Sequence, residues 1–469
     1  MRRFVSAFTL LGVCVSALGC SSPDPGSAPS DMGGVADAAM EDMPLTASDA
    51  STDSADMDLG GEDADMTRDP DFEGEYLPPG RLPELDGLPD VLMTRAGYPV
   101  TSSLEWERVR RAEVFGLLEH YAFGYQPDGF ESPARVTLVA EYDDLFDGQA
   151  TMKLLEVNAG PTPGITIDVL LVVPNGMESP PPVLFGANFF GNHSTIDDPR
   201  VPLARGWVPE RGEGVVDNMA TDAARGTVAT RWPFEQAIQR GYAVATFYHG
   251  DIDPDLDDFT DGAHALSSGE RDEHTWGTIA AWSWGARRVV DALSVDPDVD
   301  GARLAILGHS RNGKVALWTT ATDPRVGMVV SNMSGCMGAA IHRRKEGETL
   351  RFLNRLFPHW FASVLREFDN AEEKLPFDQH FLIALAAPRP ALIISGVEDS
   401  WADPEGEFEG AREASPVYEL YGLGTLSGQS WPEPEVLLDT PLGYYMTPGG
   451  HDIDPVIWAR IMDFADKHL

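Results

Sequence analysis

The chain has 469 residues and a formal charge of −41, from 75 acidic against 34 basic side chains. Apolar residues make up 43% of it, enough for a substantial core, so global disorder is excluded, and the length suits one large domain with appendages or two domains. The acidity argues against a nucleic-acid partner, which needs clustered Lys and Arg to displace phosphate counterions.

The charge is uneven along the chain: residues 1–20 carry +2, residues 21–78 carry −15 and the rest carries −28. The first segment reads as an export signal. Arg2 and Arg3 form its charged start, Phe4 to Leu18 a short apolar run, and Gly19 precedes Cys20. That run is too short to span a bilayer comfortably and its flanks are those of a cleaved peptide. Ala17-Leu18-Gly19-Cys20 resembles a lipobox, with Ala17 where Leu is commoner. We expect residues 1–19 to be a lipoprotein-type signal peptide and Cys20 the lipidation site; cleavage without lipid is the plain alternative. The protein is then exported, as an outer-membrane lipoprotein or in secreted form, and meets a membrane only through the N-terminal lipid.

Residues 20–78 follow as an acidic tether. Positions 21–78 hold 16 acidic side chains against one basic, Arg68, with almost no aromatic or β-branched apolar residues. Such a stretch buries too little apolar area to offset chain entropy. Of the three cysteines, Cys14 leaves with the signal and Cys20 would be acylated, so Cys336 is left with no internal partner and reads as a small buried residue.

From residue 79 to 469 we expect one α/β domain. Expected strands are Val136–Tyr142, Ile165–Val173, Val183–Phe190, Tyr242–Tyr248, Leu304–Leu307, Val326–Ser331, Ala391–Ser395 and Glu435–Leu438. Expected helices are Leu104–Phe123, Phe234–Arg240, Thr275–Leu293, Lys314–Ala321 and Pro455–His468. Two long insertions, Gly191–Pro233 and Glu346–Pro376, are expected to roof a site.

The chemistry concentrates at Leu304-Ala-Ile-Leu-Gly308-His309-Ser310-Arg311-Asn312-Gly313-Lys314, an apolar strand, a tight turn and a helix. This is the setting of a nucleophile elbow, in which a strained turn lifts Ser above the sheet edge. Asn312 replaces the usual second glycine, and Gly313 follows it. Gly308-x-x-x-x-Gly313-Lys314 also begins like a phosphate-binding P-loop, but Val315 stands where that motif needs Ser or Thr for Mg²⁺. A nucleophilic Ser needs a base, and the base needs an acid to orient it. Asp399 follows the strand Ala391–Ser395 and fits the acid better than Glu398 or Asp403, and His451 precedes the last helix as the base. Asp296-x-Asp298-x-Asp300 and Asp251-x-Asp253-x-Asp255 both fail as EF-hand loops, and no histidines have zinc-ligand spacing, so no cofactor or metal is expected.

At these residues the chain resembles the bacterial glucuronoyl esterases of carbohydrate esterase family 15. The likeness runs from about Tyr98 to the C-terminus. It rests on Gly308–Lys314, Ser334-Gly-Cys-Met-Gly338, Arg343-Arg344 with Gly347-Glu-Thr349, Phe357-Pro-His-Trp-Phe361, Leu375–His380, Ala387–Pro390, Asp399–Pro404 and Gly450-His451. The resemblance implies an α/β-hydrolase fold, a three-layer αβα sandwich with long active-site loop insertions. It implies cleavage of 4-O-methyl-glucuronoyl esters that join glucuronoxylan to lignin alcohols. Carried onto matching positions, Ser310 is the nucleophile, His451 the base, Asp399 the acid and Arg311 an oxyanion stabiliser. Lys314, Glu348 and Trp401 would contact the uronate ring. Many members place an acid where this chain has Met333, so Asp399 should act alone. The expected partner is a glucuronoxylan or lignin–carbohydrate ester, and the expected state a monomer. Two other readings are a related esterase such as an acetyl xylan esterase, and an inactive glycan-binding lipoprotein.

Overall fold

Short aliphatic and β-branched runs, broken by Gly and Pro, form the strands of one mixed sheet. The computed structural model describes residues 76–469; the expected signal peptide, Cys20 and all but the last residues of the tether lie outside the described residues. The strands are β1 (Arg135–Asp144), β2 (Ala150–Ala159), β3 (Ile165–Pro174) and β4 (Val183–Asn188), then a small ribbon of β5 (Val215–Val216) and β6 (Met219–Ala220). They continue with β7 (Ala243–Tyr248), β8 (Leu304–His309), β9 (Val326–Asn332), β10 (Ala391–Gly396), β11 (Leu437–Leu438) and β12 (Leu442–Thr447). Across the sheet the order is β1-β2-β3-β7-β4-β8-β9-β10-β12-β11. The run from β7 to β12 is parallel, while β1, β2, β3 and β11 pair antiparallel with their neighbours.

Helices cover both faces, because central strands with two buried faces need apolar partners above and below. β8 shows the alternation. Leu304 and Ile306 belong to the cluster under the helices Thr278–Leu293, Arg311–Thr322 and Pro404–Glu419, whereas Ala305 and Leu307 belong to the cluster under Phe234–Gln239 and Pro455–His468. The result is the expected three-layer αβα arrangement.

Several expectations needed correction. β2 was missed because Thr-Met-Lys-Leu-Leu-Glu reads as helix-forming; its Lys153 is buried on Asp296, a residue of one failed calcium loop, at 2.8 Å. The helix Pro404–Glu419 was hidden by Gly406, Gly410 and the internal Pro416. Gly410 is required there, since a Cβ would stand 2.1 Å from the Ala339 carbonyl oxygen. The strand expected at Glu435–Leu438 shrinks to β11, and the true last parallel strand is β12. Ahead of the strands, Tyr76 stacks on His120 at 4.3 Å, and Tyr121 donates to the Leu77 carbonyl at 2.6 Å.

Cys336 is buried and unpaired, and burial pushes its thiol well above the ordinary value, which suits a packing residue. No helix among the described residues is long and apolar enough to cross a membrane.

Candidate active site

Parallel pairing brings the C-terminal ends of β8, β9, β10 and β12 to one edge of the sheet. Ser310 follows β8, Met333 follows β9, Asp399 lies just past β10 and His451 just past β12. The fold alone thus gathers residues 141 positions apart in sequence.

Ser310 sits at φ 58° and ψ −130°, a conformation that costs a non-glycine residue about 1–3 kcal/mol. Its N–H donates to the Asn332 carbonyl at 2.9 Å, and Gly313 N–H donates back to the Ser310 carbonyl at 2.8 Å. Gly308 makes the turn possible, because a Cβ there would lie 1.9 Å from the Asn312 carbonyl oxygen. Asn312, in place of the usual glycine, is buried and useful: its Nδ2 donates to the Ala187 carbonyl at 2.9 Å and its Oδ1 faces His249 Nδ1 at 3.0 Å. The close approach to the neighbouring chain falls instead to Gly313, whose Cβ would stand 2.8 Å from that of Ser334.

His451 Nδ1 lies 2.6 Å from Asp399 Oδ2. A carboxylate only accepts, so Nδ1 carries a proton and Nε2 is the nitrogen left free of Asp399. Asp399 is buried and also accepts from Ala402 N–H at 3.3 Å. The rival acid, Asp403, is engaged elsewhere: it caps the helix Pro404–Glu419 through Gly406 N–H at 3.1 Å and binds Arg344 Nε at 2.8 Å. Met333 is buried in the cleft wall and supplies no acid. His309 packs against His451 with ring centroids 4.6 Å apart. Burial, with the charges of His451 and Arg231, holds the His309 imidazole well below its ordinary value, so it stays neutral beside the base.

Arg311 lines the same cleft as Ser310 and is also ion-paired. Asp255 holds its guanidinium from one side, while Trp360 and Phe357 lie 4.6 and 5.1 Å from it. Asp255 in turn accepts from His359 Nε2 at 3.0 Å and Trp360 Nε1 at 2.8 Å. Burial pushes the Asp255 carboxyl up, but His359, Arg311 and the other donors outweigh it and hold it well below the carboxylate range. Arg311 Nε is buried with no hydrogen-bond partner among the described residues.

Lys314 is buried, donating to the Ser334 carbonyl and, at 2.9 Å, to Glu348. An ammonium held in this way does not serve a phosphate loop. Glu348 N–H donates to the Trp401 carbonyl at 2.7 Å, joining the roofing insertion to the loop after β10. All the residues expected to bind substrate (Lys314, Glu348 and Trp401) therefore meet Ser310, Arg311 and His451 around one cleft of about 230 Å³. That is smaller than a drug-sized pocket, roughly 300–1,000 Å³, and suits a single sugar ring. Asp255, Phe357 and Trp360 were missed as site residues. Asp255 falls in a failed calcium pattern, and nothing in the sequence links it to Arg311.

Beneath the cleft, Glu407 is fully buried and accepts from Ser334 N–H at 2.6 Å and Gly335 N–H at 3.0 Å, with Ser395 Oγ 2.6 Å from its other oxygen. Burial pushes it up to about 8, opposed by these donors and assisted by Asp399. The folded state therefore keeps a proton that the unfolded chain loses near 4.5. The stability this provides is complete below the unfolded value and is lost as pH rises through the folded one. We expect Tm to fall between pH 5 and pH 8.5, and Glu407→Gln, a neutral isostere, to flatten that slope. Equal slopes in thermal melts of the two proteins would contradict this origin.

Sheet order, elbow and the His451–Asp399 pair at the same edge define an α/β-hydrolase. The model of the family "Glucuronyl esterase, fungi" matches residues 226–422. Over 388 residues the chain is 42% identical to a carbohydrate esterase of an unknown prokaryotic organism, covering 81% of this chain and 89% of that protein. It is 26% identical over 352 residues to 4-O-methyl-glucuronoyl methylesterase 1 of Wolfiporia cocos, covering 73% of this chain and 74% of the fungal one. Among solved structures it is similar to a promiscuous family 15 carbohydrate esterase from a marine bacterial metagenome, with 41% identity and a TM-score of 0.77 over 84% of this chain and 100% of that one. It is also similar to the glucuronoyl esterase from Solibacter usitatus, with 34% identity and a TM-score of 0.75 over 82% and 99%. The chain belongs to the glucuronoyl esterases of carbohydrate esterase family 15, and it is a carboxylic ester hydrolase.

Proposed function

We propose that the enzyme cleaves 4-O-methyl-glucuronoyl esters of glucuronoxylan, including those to lignin alcohols, through a Ser310-His451-Asp399 triad and an acyl-enzyme. The observation that carries this reading is Ser310, raised on a positive-φ elbow, sharing one cleft with a His451 already held by Asp399. His451 Nε2 takes the Ser310 proton as Oγ attacks the uronate carbonyl, and Asp399 stabilises the imidazolium that forms. The oxyanion is met by the Arg311 guanidinium, which lines the cleft beside Ser310, and by N–H groups at the head of the helix Arg311–Thr322. The ester C–O bond then breaks and the alcohol leaves with the proton from His451. Water, deprotonated by His451, attacks the acyl carbonyl, and Ser310 regains its proton as the free uronate departs.

Lys314 and Glu348 present a fixed cation and anion to ring hydroxyls, and the exposed Trp401 offers an indole face to the sugar. Export by residues 1–19, anchoring through Cys20 and the tether over 20–78 belong to the same proposal, which sets a monomeric enzyme outside the cytoplasm.

Hydrolysis of methyl and benzyl esters of glucuronate, compared with acetylated xylan, tests the substrate. Turnover of the uronate esters is expected; activity confined to acetyl groups, or saccharide binding without turnover, would overturn it. Arg311→Ala should lower kcat about 10²–10³-fold, as loss of an oxyanion donor does. An unchanged kcat with a raised KM would instead assign Arg311 to ground-state binding.

A further inference from the structure

We infer that the helix Leu350–Leu356 carries a second recognition surface, for free carboxylates on the same polysaccharide that bears the ester; this rests on the proposed uronate-ester activity. The helix lies in the insertion expected to roof the site, and cleft residues bracket it, Glu348 before and Phe357 after. Leu350, Leu353 and Asn354 face inward, which turns positions 351, 352, 355 and 356 to solvent. Phe352 and Leu356, one turn apart, are 49% and 54% exposed. The Phe352 ring lies 6.2 Å from that of Trp401, itself 42% exposed, so the aromatic wall of the cleft continues outward along the helix.

Beside that wall, Arg351 and Arg355 are also exposed and one turn apart. The cleft arginine and the two just before the insertion are matched to carboxylates: Arg311 to Asp255, Arg343 to Asp378 and Arg344 to Asp403. Arg351 and Arg355 have no ion-pair or hydrogen-bond partner among the described residues. Arg355, in the last turn, complements the helix dipole, but a like charge one turn before it at Arg351 weakens the helix, so helix stability does not account for the pair. Two unpaired guanidinium groups and apolar faces on the rim of an otherwise acidic enzyme match a polymer that presents pyranose faces and carboxylates together. A polysaccharide esterified at some uronates carries others free. The acidic surface repels these carboxylates, and the two planar guanidinium groups attract and orient them. A polymer of aromatic alcohols would use the rings but not the charges.

The test uses the inactive Ser310→Ala enzyme, titrated with de-esterified glucuronoxylan and with the same polymer after its carboxyls are reduced to alcohols. Binding is expected to favour the acidic polymer about fivefold, the effect of two part-exposed ion pairs. The preference should shrink in about 0.5 M NaCl, where such charges are screened. It should vanish when Arg351→Gln and Arg355→Gln are added. With Ser310 intact, that double variant should keep wild-type kcat/KM on the monosaccharide benzyl ester. Equal binding of the two polymers, or a preference that survives loss of both arginines, would overturn the inference. So would a double-variant defect on the benzyl ester, which would assign the patch to the alcohol. Failure of the wild-type enzyme on the benzyl ester would count against the proposed activity, and the polymer titration reads the surface separately.

Discussion

Ser310→Ala is expected to lower kcat/KM on glucuronate benzyl ester by about 10⁴–10⁶-fold, as loss of the nucleophile does in other triads. The loss should come without unfolding. Alanine pays the same positive-φ strain as serine, and the elbow's bonds, from Ser310 N–H to Asn332 and from Gly313 N–H to Ser310, are made by backbone. The strain also separates function from stability. Ser310→Gly removes both the hydroxyl and the Cβ, so it should be as inactive as the alanine variant yet melt at a higher temperature. Thermal melts and initial rates on the two variants check both parts. Substantial turnover by either would remove Ser310 from the chemistry, and a lower Tm for Ser310→Gly would mean that the turn is not strained as its geometry implies.

The second large effect concerns the acid. Asp399→Ala is expected to cost about 10⁴-fold in kcat, because His451 loses the partner that fixes its tautomer and stabilises its charged form. Three nearby positions offer no substitute. Met333 occupies the position after β9, Asp403 is tied to Gly406 and Arg344, and Glu407 accepts from the N–H groups of Ser334 and Gly335. A loss in kcat below about tenfold would show that another acid serves His451.

Much of the site was legible in the sequence because its chemistry is local. Gly308 and Ser310 between an apolar strand and a helix announce the elbow, and Asp399 and His451 each stand just past a strand. What could not be read was the pairing across the fold. The Asp255–Arg311 contact joins a loop to the first residue of the helix Arg311–Thr322, and its carboxylate lies in a broken calcium pattern. The buried Lys314–Glu348 pair also depends on an insertion whose path no periodicity specifies. In the fold, β2 and the helix Pro404–Glu419 were missed for opposite reasons. The first has helix-forming residues that pairing with β1 and β3 overrides, and the second has two glycines and a proline in a helix that packs closely on its neighbours.

The central claim is that Ser310 carries the glucuronoyl group between attack and release. Rapid acid quenching of the enzyme during turnover of the benzyl ester, followed by peptide mass analysis, tests it most directly. The account predicts a glucuronoyl adduct on the peptide containing Ser310, formed with a burst of benzyl alcohol and absent from Ser310→Ala. Steady turnover with no burst and an unmodified Ser310 peptide would contradict it.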